Sequence, residues 1–293
     1  MMEAQLSFRR VGTAFSSLLL LTRFPNLLIV ALTQYLTAIF LVGPKTIWLE
    51  YMTSPRLFIL SSSTVLIAAA GYIINDYYDV KIDYINKPER VIVGKVLKRR
   101  VVMAVHTIFN ITGILLGASL SLKVGALNFL AAVWLWLYSN QLKRLPFVGN
   151  FSVAVLTGLS VYVVALYYDE NTSLIHAYAL FAFVLSLVRE IVKDMEDLKG
   201  DAAFGCKTLP IIWGIRRTKY LQYVLLAGLV FLLINMAGKV SDLWLKNAFF
   251  LLILPVIYFT ARLARADSRR EFAWLSSFCK WIMLAGVLSM ILY

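Results

Sequence analysis

Long apolar segments alternate with short polar segments along the chain. Crossing the hydrocarbon core of a bilayer takes ~20 helical residues, and about nine of the apolar segments approach or exceed that length. Because no linker or low-complexity segment separates them, the pattern predicts an all-α, polytopic membrane protein with about nine transmembrane helices in one bundle, a single domain over residues 1–293. We place the segments at 16–42, 56–78, 101–122, 125–140, 150–168, 174–194, 219–237, 245–263 and 273–292.

Composition excludes an ordinary soluble fold. The chain is 60% hydrophobic and only 15% charged, against roughly 25% charged residues in soluble domains. Arg9 and Arg10 precede the first apolar segment as in a signal peptide, but this segment is too long for one, and we interpret it as a transmembrane helix. The two cysteines, Cys206 and Cys279, lack metal-binding or redox spacing, and we expect free thiols.

The net charge of +13 could suggest nucleic-acid binding, but the basic residues lie in short segments between the apolar ones. This is the charge pattern of membrane topology, and we expect no nucleic-acid partner. Alternate loops are strongly basic, so by the positive-inside rule these loops and the N-terminus are cytoplasmic in a protein of the cell (inner) membrane. Their basic residues are Arg9, Arg10, Lys81, Lys87, Arg90, Lys95, Lys98, Arg99, Arg100, Lys143, Arg144, Lys193, Lys199, Lys207, Arg216, Arg217, Lys219, Arg262, Arg265, Arg269 and Arg270.

Acidic residues are rare in this chain, yet they cluster at the ends of two apolar segments. We name residues 75–83 the first acidic segment and residues 193–201 the second acidic segment. In each, three aspartates stand at i, i+3 and i+7, a spacing that places them on one helical face. Both segments fall on the cytoplasmic side at corresponding points of two helical halves, which indicates a pseudo-repeat. The aspartates are Asp76, Asp79, Asp83, Asp194, Asp197 and Asp201.

Three carboxylates this close repel one another and stay ionised together only with water and a shared cation. Their oxygens suit Mg²⁺, which proteins bind through a few carboxylates plus substrate phosphates. A diphosphate bridged by Mg²⁺ would leave the rest of its molecule among apolar helices, which is the shape of a polyprenyl diphosphate. Mg²⁺ and basic side chains would stabilise the departing diphosphate while a nucleophile captures the allylic cation. The basic residues beside the two segments are Lys81, Lys87, Arg90, Arg189, Lys193 and Lys199.

The first acidic segment matches the N-D-x-x-D-x-x-x-D signature of the UbiA-type intramembrane prenyltransferases, and the chain resembles this family. Residues 83–90 resemble the D-x-I-N-K/R-P-x-R continuation of one branch, which includes chlorophyll synthases, homogentisate prenyltransferases and digeranylgeranylglyceryl-phosphate (ether-lipid) synthases. Residues 193–201 look most like the K-D-x-x-D-x-x-G-D pattern of the ether-lipid synthases, and residues 207–210 fit the same pattern. Weaker matches are Arg23 to Asn26, Tyr138 to Arg144, and Gly149-Asn150.

The resemblance implies a nine-helix bundle, Mg²⁺ as cofactor and a prenyl diphosphate as donor. It implies catalytic roles for the six aspartates of the two segments. The expected metal ligands are Asn75, Asp79, Asp194, Asp197 and Asp201. The residues expected to bind substrate, from the resemblance or from their place beside the acidic segments, are Arg23, Asn26, Asn75, Lys81, Lys87, Arg90, Tyr138, Lys143, Arg144, Asn150, Arg189 and Lys193.

We therefore expect an enzyme, a prenyltransferase that moves a prenyl group, geranylgeranyl in the more specific version, to an amphipathic lipid-like acceptor. The second signature favours geranylgeranylglyceryl phosphate as the acceptor, in membrane ether-lipid synthesis. An aromatic acceptor, as in quinone or chlorophyll synthesis, is the alternative, because a single sequence does not expose the acceptor pocket. An ion-coupled transporter is less favoured, because its acidic residues would lie near mid-bilayer.

Several of these residues have a simpler interpretation. The second acidic segment taken alone could be a charged cytoplasmic loop. Arg23 lies in an apolar segment near its cytoplasmic end and could extend its charge to the membrane surface. Lys143 and Arg144 could be a topology signal. His106 and His176 have no partner spacing, and we expect structural roles for both.

Overall fold

The computed structural model describes residues 16–43, 45–170 and 173–293. Within these ranges the chain is almost entirely helical, and the one β element is an isolated bridge. A helix pairs its backbone N–H and C=O groups within one segment, which lipid demands because it offers no water to bond them. The predicted all-α class is confirmed, whereas Arg9 and Arg10 lie outside the described residues.

Nine stretches of the described residues are helical and apolar enough to cross a membrane, with mean hydropathy between 1.3 and 2.1. This number confirms the prediction and makes the chain a multi-pass membrane protein. Each stretch contains one long helix, and α1 continues as a π-helix to Val42. In chain order the α-helices are α1 (Phe24–Leu36), α2 (Trp48–Met52, too short to span), α3 (Pro55–Asn86), α4 (Arg99–Leu120), α5 (Leu122–Asn140), α6 (Val148–Tyr168), α7 (Ser173–Ala203), α8 (Leu209–Lys239), α9 (Leu243–Arg265) and α10 (Arg269–Leu288).

The first span is shorter than predicted. Residues 16–21 are helical, a turn follows, and α1 begins only at Phe24. Pro25 explains the interruption because it has no N–H to donate to the carbonyl of Leu21, and its ring would clash with that carbonyl in a continuous helix. Arg23, in the turn, has a φ of 52°, a left-handed conformation that few residues other than glycine adopt.

Two helices run well past the apolar segments that predict them. α3 continues from the segment 56–78 to Asn86, and α7 continues from the segment 174–194 to Ala203. α3 ends just before Pro88, since proline disfavours the helical conformation in the residue that precedes it. Both acidic segments are therefore helical along their whole length.

The contacts of the chain define two compact units. The described part of the first unit comprises residues 16–31 and Ile59–Asn140, and the second unit comprises Leu32–Phe58 and Gln141–Tyr293. A single domain over residues 1–293 stays a prediction.

In the first unit, α4 and α5 pack closely through small residues. A Cβ added to Gly125 would lie 2.8 Å from the Cα of Ala118. Asn128 in α5 donates a hydrogen bond of 3.1 Å to the carbonyl oxygen of Gly113 in α4. Close approach and hydrogen bonds between helices stabilise their association in lipid, where burial of apolar surface gives little driving force.

In the second unit, α7 packs against α6, α8 and α10. Gln222 in α8 donates a hydrogen bond of 3.0 Å to the carbonyl oxygen of Val188, and the hydroxyl oxygens of Tyr178 and Ser289 lie 2.7 Å apart. These contacts fix the helix that carries the second acidic segment. Its buried core residues include Tyr178, Phe181, Leu185, Val188, Val192 and Met195.

Candidate functional site

The first acidic segment forms the end of α3 in the first unit. Ile73, Tyr77 and Val80 pack into an apolar cluster on one side of the helix. Helical spacing turns the three aspartates to another side, where they are half-buried. Asn75 Nδ2 donates a hydrogen bond of 2.9 Å to Asp79 Oδ2, one turn away. The helix thus offers a row of carboxylates that a ligand can reach, one of them oriented by an amide.

Arg23 is a basic residue that the structure brings to this row. Its Nη2 lies 3.0 Å from Asp76 Oδ1, and its guanidinium stacks over the Tyr72 ring, with Cζ 4.9 Å from the ring centroid. Asn26 Nδ2 lies 3.4 Å from the Tyr72 hydroxyl oxygen. Both charged side chains are partly exposed, so the ion pair stabilises the fold by at most about 1 kcal/mol. Arg23 combines this ion pair with a left-handed backbone, and residues in such sparsely populated conformations cluster at functional sites.

The other predicted residues of the first unit have different surroundings. Lys81 is exposed, and because it stands two residues from both Asp79 and Asp83 it lies on the opposite side of α3 from their carboxylates. Lys87 is half-buried just after α3, and Tyr138 is half-buried near the end of α5. The side chain of Arg90 lies outside the described part of the structure. The roles predicted for these residues stay predictions.

The second acidic segment forms the end of α7 in the second unit. Asn150, buried near the start of α6, donates a hydrogen bond of 2.8 Å from Nδ2 to Asp194 Oδ2. Asp197 and Asp201 are half-buried on the same helical face. The simpler interpretation of this segment as a charged loop is therefore excluded, because it is helical and its first aspartate has a buried partner.

A tight turn positions Asn150. Lys143 and Arg144 lie in a 3₁₀ turn (Leu142–Arg144) that folds against the start of α6. The backbones approach so closely that a Cβ on Gly149 would lie 2.7 Å from the Cα of Lys143. The N–H of Lys207, in the segment after α7, donates a hydrogen bond of 2.8 Å to the carbonyl oxygen of Arg144. The turn therefore joins the start of α6 to the segment that follows α7.

Replacing Gly149 with alanine should destabilise this turn. The added methyl group would meet backbone atoms that cannot move aside easily, and overpacking of this kind costs about 1–3 kcal/mol. Gly228→Ala is the matched control, because nothing lies within 4 Å of a Cβ added there, inside α8. Thermal unfolding in detergent should show a lower Tm for Gly149→Ala and an equal or higher Tm for Gly228→Ala. An equal Tm for both variants would contradict the packing described.

Glu190, which lies on α7 one turn before Asp194, is a site residue that the sequence motifs do not predict. It is buried, and its carboxylate pairs with the side chain of Arg189 and lies 3.9 Å from Nζ of Lys193. Its position in the apolar segment 174–194 could have indicated a functional role, because placing a charge inside a transmembrane segment costs free energy.

Each unit holds the first aspartate of its acidic segment in a similar way. In the first unit the donor is Arg23, one residue before α1 begins, and its partner Asp76 is on the next spanning helix. In the second unit the donor is Asn150, at the start of α6, and its partner Asp194 is again on the next spanning helix. This correspondence supports the pseudo-repeat inferred from the spacing of the aspartates.

The donor chemistry of each acidic segment fits Mg²⁺. In the part of the chain that the structure describes, no three His, Cys, Asp or Glu side chains converge to hold a metal ion on their own. Mg²⁺ keeps several waters and takes further oxygens from substrate phosphates, so a protein needs to offer only a few carboxylate or amide oxygens. Cys206 and Cys279 are buried and are not joined in a disulfide, as predicted.

The model of the UbiA prenyltransferase family matches residues 31–285 of the chain. The chain is 41% identical over 152 residues to the digeranylgeranylglyceryl phosphate synthase of Thermococcus gammatolerans. That match covers 52% of this chain and 55% of the relative, so the chain spans about half the length of this curated protein.

Solved structures share the fold along nearly the whole chain. One, which gives structural and mechanistic insights into digeranylgeranylglyceryl phosphate synthase in membranes, has a TM-score of 0.71 and 26% identity. It covers 94% of this chain and 97% of its own. A UbiA homolog from Archaeoglobus fulgidus, bound to DMAPP and Mg²⁺, has a TM-score of 0.70 and 17% identity, covering 94% and 99%. This second likeness is one of fold.

Proposed function

The chain belongs to the UbiA prenyltransferase family, and we propose that it transfers a geranylgeranyl group from its diphosphate to geranylgeranylglyceryl phosphate with Mg²⁺. Family membership confirms the resemblance drawn from the two signatures. The observation that carries the proposal is the pair of half-buried acidic segments at the ends of α3 and α7. In each, the first aspartate is held by a side chain from another element of its unit.

Donor and metal follow from the chemistry of these segments. Asp and Asn oxygens suit Mg²⁺, and Mg²⁺ suits a diphosphate. The Archaeoglobus fulgidus homolog binds DMAPP together with Mg²⁺, which supports the same combination here. We assign the metal to Asn75, Asp79, Asp194, Asp197 and Asp201, and we assign the diphosphate to three of the basic residues beside them, Lys87, Arg90 and Lys193.

The side chains of this protein would bind, orient and shield the reactants. When bound, Mg²⁺ supplies positive charge that stabilises the diphosphate as a leaving group. Asn75 and Asn150 each orient one carboxylate, Asp79 and Asp194, toward this task. The bond from C1 of the prenyl group to the diphosphate breaks, a bond from C1 to the acceptor oxygen forms, and the hydroxyl proton is released. Apolar helices around the prenyl chain would exclude the water that could otherwise capture the allylic cation formed when the bond at C1 breaks.

The choice of acceptor rests on the second signature and on a named relative. Residues 193–201 have the ether-lipid pattern, and the relative from Thermococcus gammatolerans is a digeranylgeranylglyceryl phosphate synthase. An aromatic acceptor would need the same donor site and a different pocket for the nucleophile. We place both acidic segments at the cytoplasmic face of the cell membrane, because basic loop residues accompany them.

Incubating the purified protein with labelled geranylgeranyl diphosphate, Mg²⁺ and a panel of acceptors tests this function. We expect a labelled product with geranylgeranylglyceryl phosphate, and none when a chelator removes Mg²⁺. Product on phenolic acceptors alone would replace the ether-lipid assignment with the aromatic one. Absence of product with every acceptor would contradict the prenyltransferase assignment and favour the transporter alternative.

A further inference from the structure

A second charged cluster lies on α7, one turn before the second acidic segment. Glu190 stands four residues before Asp194 and therefore extends the row of carboxylates one turn toward the helix centre. Arg189 is rotated about 100° from Glu190 around the helix axis, so its side chain leaves the row. Neither residue belongs to the aspartate signature, and both lie in an apolar segment.

Glu190 anchors two cations. Its Oε1 accepts a hydrogen bond from Nη1 of Arg189, and its Oε2 lies 3.9 Å from Nζ of Lys193. The side chains of Arg189 and Glu190 are only 18% and 8% exposed. A guanidinium this deep needs a counter-charge, and a rigid carboxylate also fixes the direction of its planar fork.

One hydrogen-bond donor of this guanidinium is unsatisfied within the described part of the chain. Nε of Arg189 is buried and has no hydrogen-bond acceptor among the residues that the structure describes. Buried donors are almost always satisfied, and an unfilled one on a cation indicates a place for an oxyanion or water. Phosphate oxygens match the Arg fork, because two neighbouring N–H groups can donate to one phosphate at once.

We propose that Arg189, held by Glu190, binds the phosphate of the acceptor lipid at a subsite separate from that of the donor diphosphate. The proposal rests on the proposed function, which supplies an acceptor with a phosphate of its own. It predicts that the acceptor phosphate is bound by Arg189, while the carboxylate row and Mg²⁺ serve the diphosphate.

The position of Arg189 along α7 suits this acceptor. In geranylgeranylglyceryl phosphate only a few bonds separate the phosphorus from the hydroxyl that attacks the donor. The two anions must therefore bind about one or two helical turns apart, each turn rising about 5.4 Å. Arg189 precedes Asp194 by five residues, a rise of about 7.5 Å along the helix.

Replacing Arg189 with glutamine tests the subsite. We expect KM for geranylgeranylglyceryl phosphate to rise at least about ten-fold, because charge-assisted hydrogen bonds to the phosphate are lost. KM for geranylgeranyl diphosphate should stay unchanged. The preference for the phosphorylated acceptor over geranylgeranylglycerol should fall by the same factor, a change that a merely structural role would not produce.

Three further variants separate the effect of a general loss of positive charge, the geometry of the Arg189 guanidinium and its anchoring by Glu190. Arg270→Gln removes an exposed arginine at the start of α10 and should change neither KM. Arg189→Lys keeps the charge without the fork and should raise KM for the acceptor less than Arg189→Gln does. Glu190→Gln should raise the same KM, because Arg189 loses its anchor, and this outcome identifies Glu190 as a positioning residue. A rise in KM for the donor instead, or an unchanged preference for the phosphorylated acceptor, would overturn the proposal.

Binding of the acceptor lipid in the absence of geranylgeranyl diphosphate tests this proposal separately from the proposed function. Labelled geranylgeranylglyceryl phosphate should bind wild-type protein, and about ten-fold more weakly Arg189→Gln, even if no prenyl transfer is observed. Equal binding to the two proteins would remove the subsite while leaving the transferase assignment intact. If Arg189→Gln does not fold, inhibition of the wild-type enzyme by inorganic phosphate tests the subsite instead. It should compete with the acceptor and not with the donor, and competition with the donor alone would overturn the proposal.

Discussion

Asp79→Asn should lower kcat/KM for prenyl transfer by at least about 10³-fold while leaving the protein folded. Asp79 is half-buried in the carboxylate row of α3, and its negative charge is what a Mg²⁺-diphosphate would use. Asparagine has nearly the same shape, and its side-chain oxygen can still accept the hydrogen bond from Asn75. The loss therefore reports charge at the site, and transfer of labelled prenyl groups at saturating Mg²⁺ measures it.

Asp242→Asn is the matched control for this variant. Asp242 caps the start of α9 and accepts hydrogen bonds from the N–H groups of Trp244 and Leu245 at 2.9 and 3.0 Å. Asparagine caps helices about as well as aspartate, so activity and Tm should both remain near those of the wild type. Full activity of Asp79→Asn would show that the first acidic segment does not carry the reaction.

Hydrophobic length was enough to predict the helices, but not their ends. The apolar segment 56–78 stops where polar residues begin, yet α3 continues to Asn86, because the backbone hydrogen bonds of a helix do not require apolar side chains. The first segment shows the opposite case, since Pro25 interrupts the helix within a stretch that is apolar on average. Hydropathy averages over a window and is insensitive to a single residue that alters the backbone.

Periodicity placed the aspartates of each segment on one face, but it could not supply their partners. Arg23 and Asp76 are 53 residues apart in sequence, and Asn150 and Asp194 are 44 residues apart. These pairs depend on how helices pack, which no local spacing encodes. The tight approach at Gly149 is likewise visible only as a distance between two backbones.

Two features of the site could have been read from spacing alone. Lys81 lies two residues from both Asp79 and Asp83, so a helix must turn it away from their carboxylates. Glu190 lies four residues before Asp194, so the same helix must place it in line with the second row. The position of a charged residue around the helix axis therefore predicts its place in the site better than its nearness to the motif in sequence.

Asp194→Asn should also lower kcat/KM by at least about 10³-fold, and its combination with Asp79→Asn tests whether both segments bind one ligand. If they acted independently, the double variant would lose about 10⁶-fold, the product of the single losses. If both hold the same Mg²⁺-diphosphate, either substitution already removes most of the stabilisation, and the double variant should stay within about ten-fold of the worse single variant. Labelled product formed by the single and double variants measures the coupling.

The control for this pair is Asp169→Asn, at the left-handed end of α6, where asparagine is tolerated as well as aspartate. It should keep wild-type activity alone and should not change the loss caused by Asp79→Asn. If the loss in the double variant equalled the product of the two single losses, a shared ligand would be contradicted, even though each segment would still be essential. A double variant about as active as the worse single variant would support one bound diphosphate for Asp79 and Asp194, which are 115 residues apart in sequence.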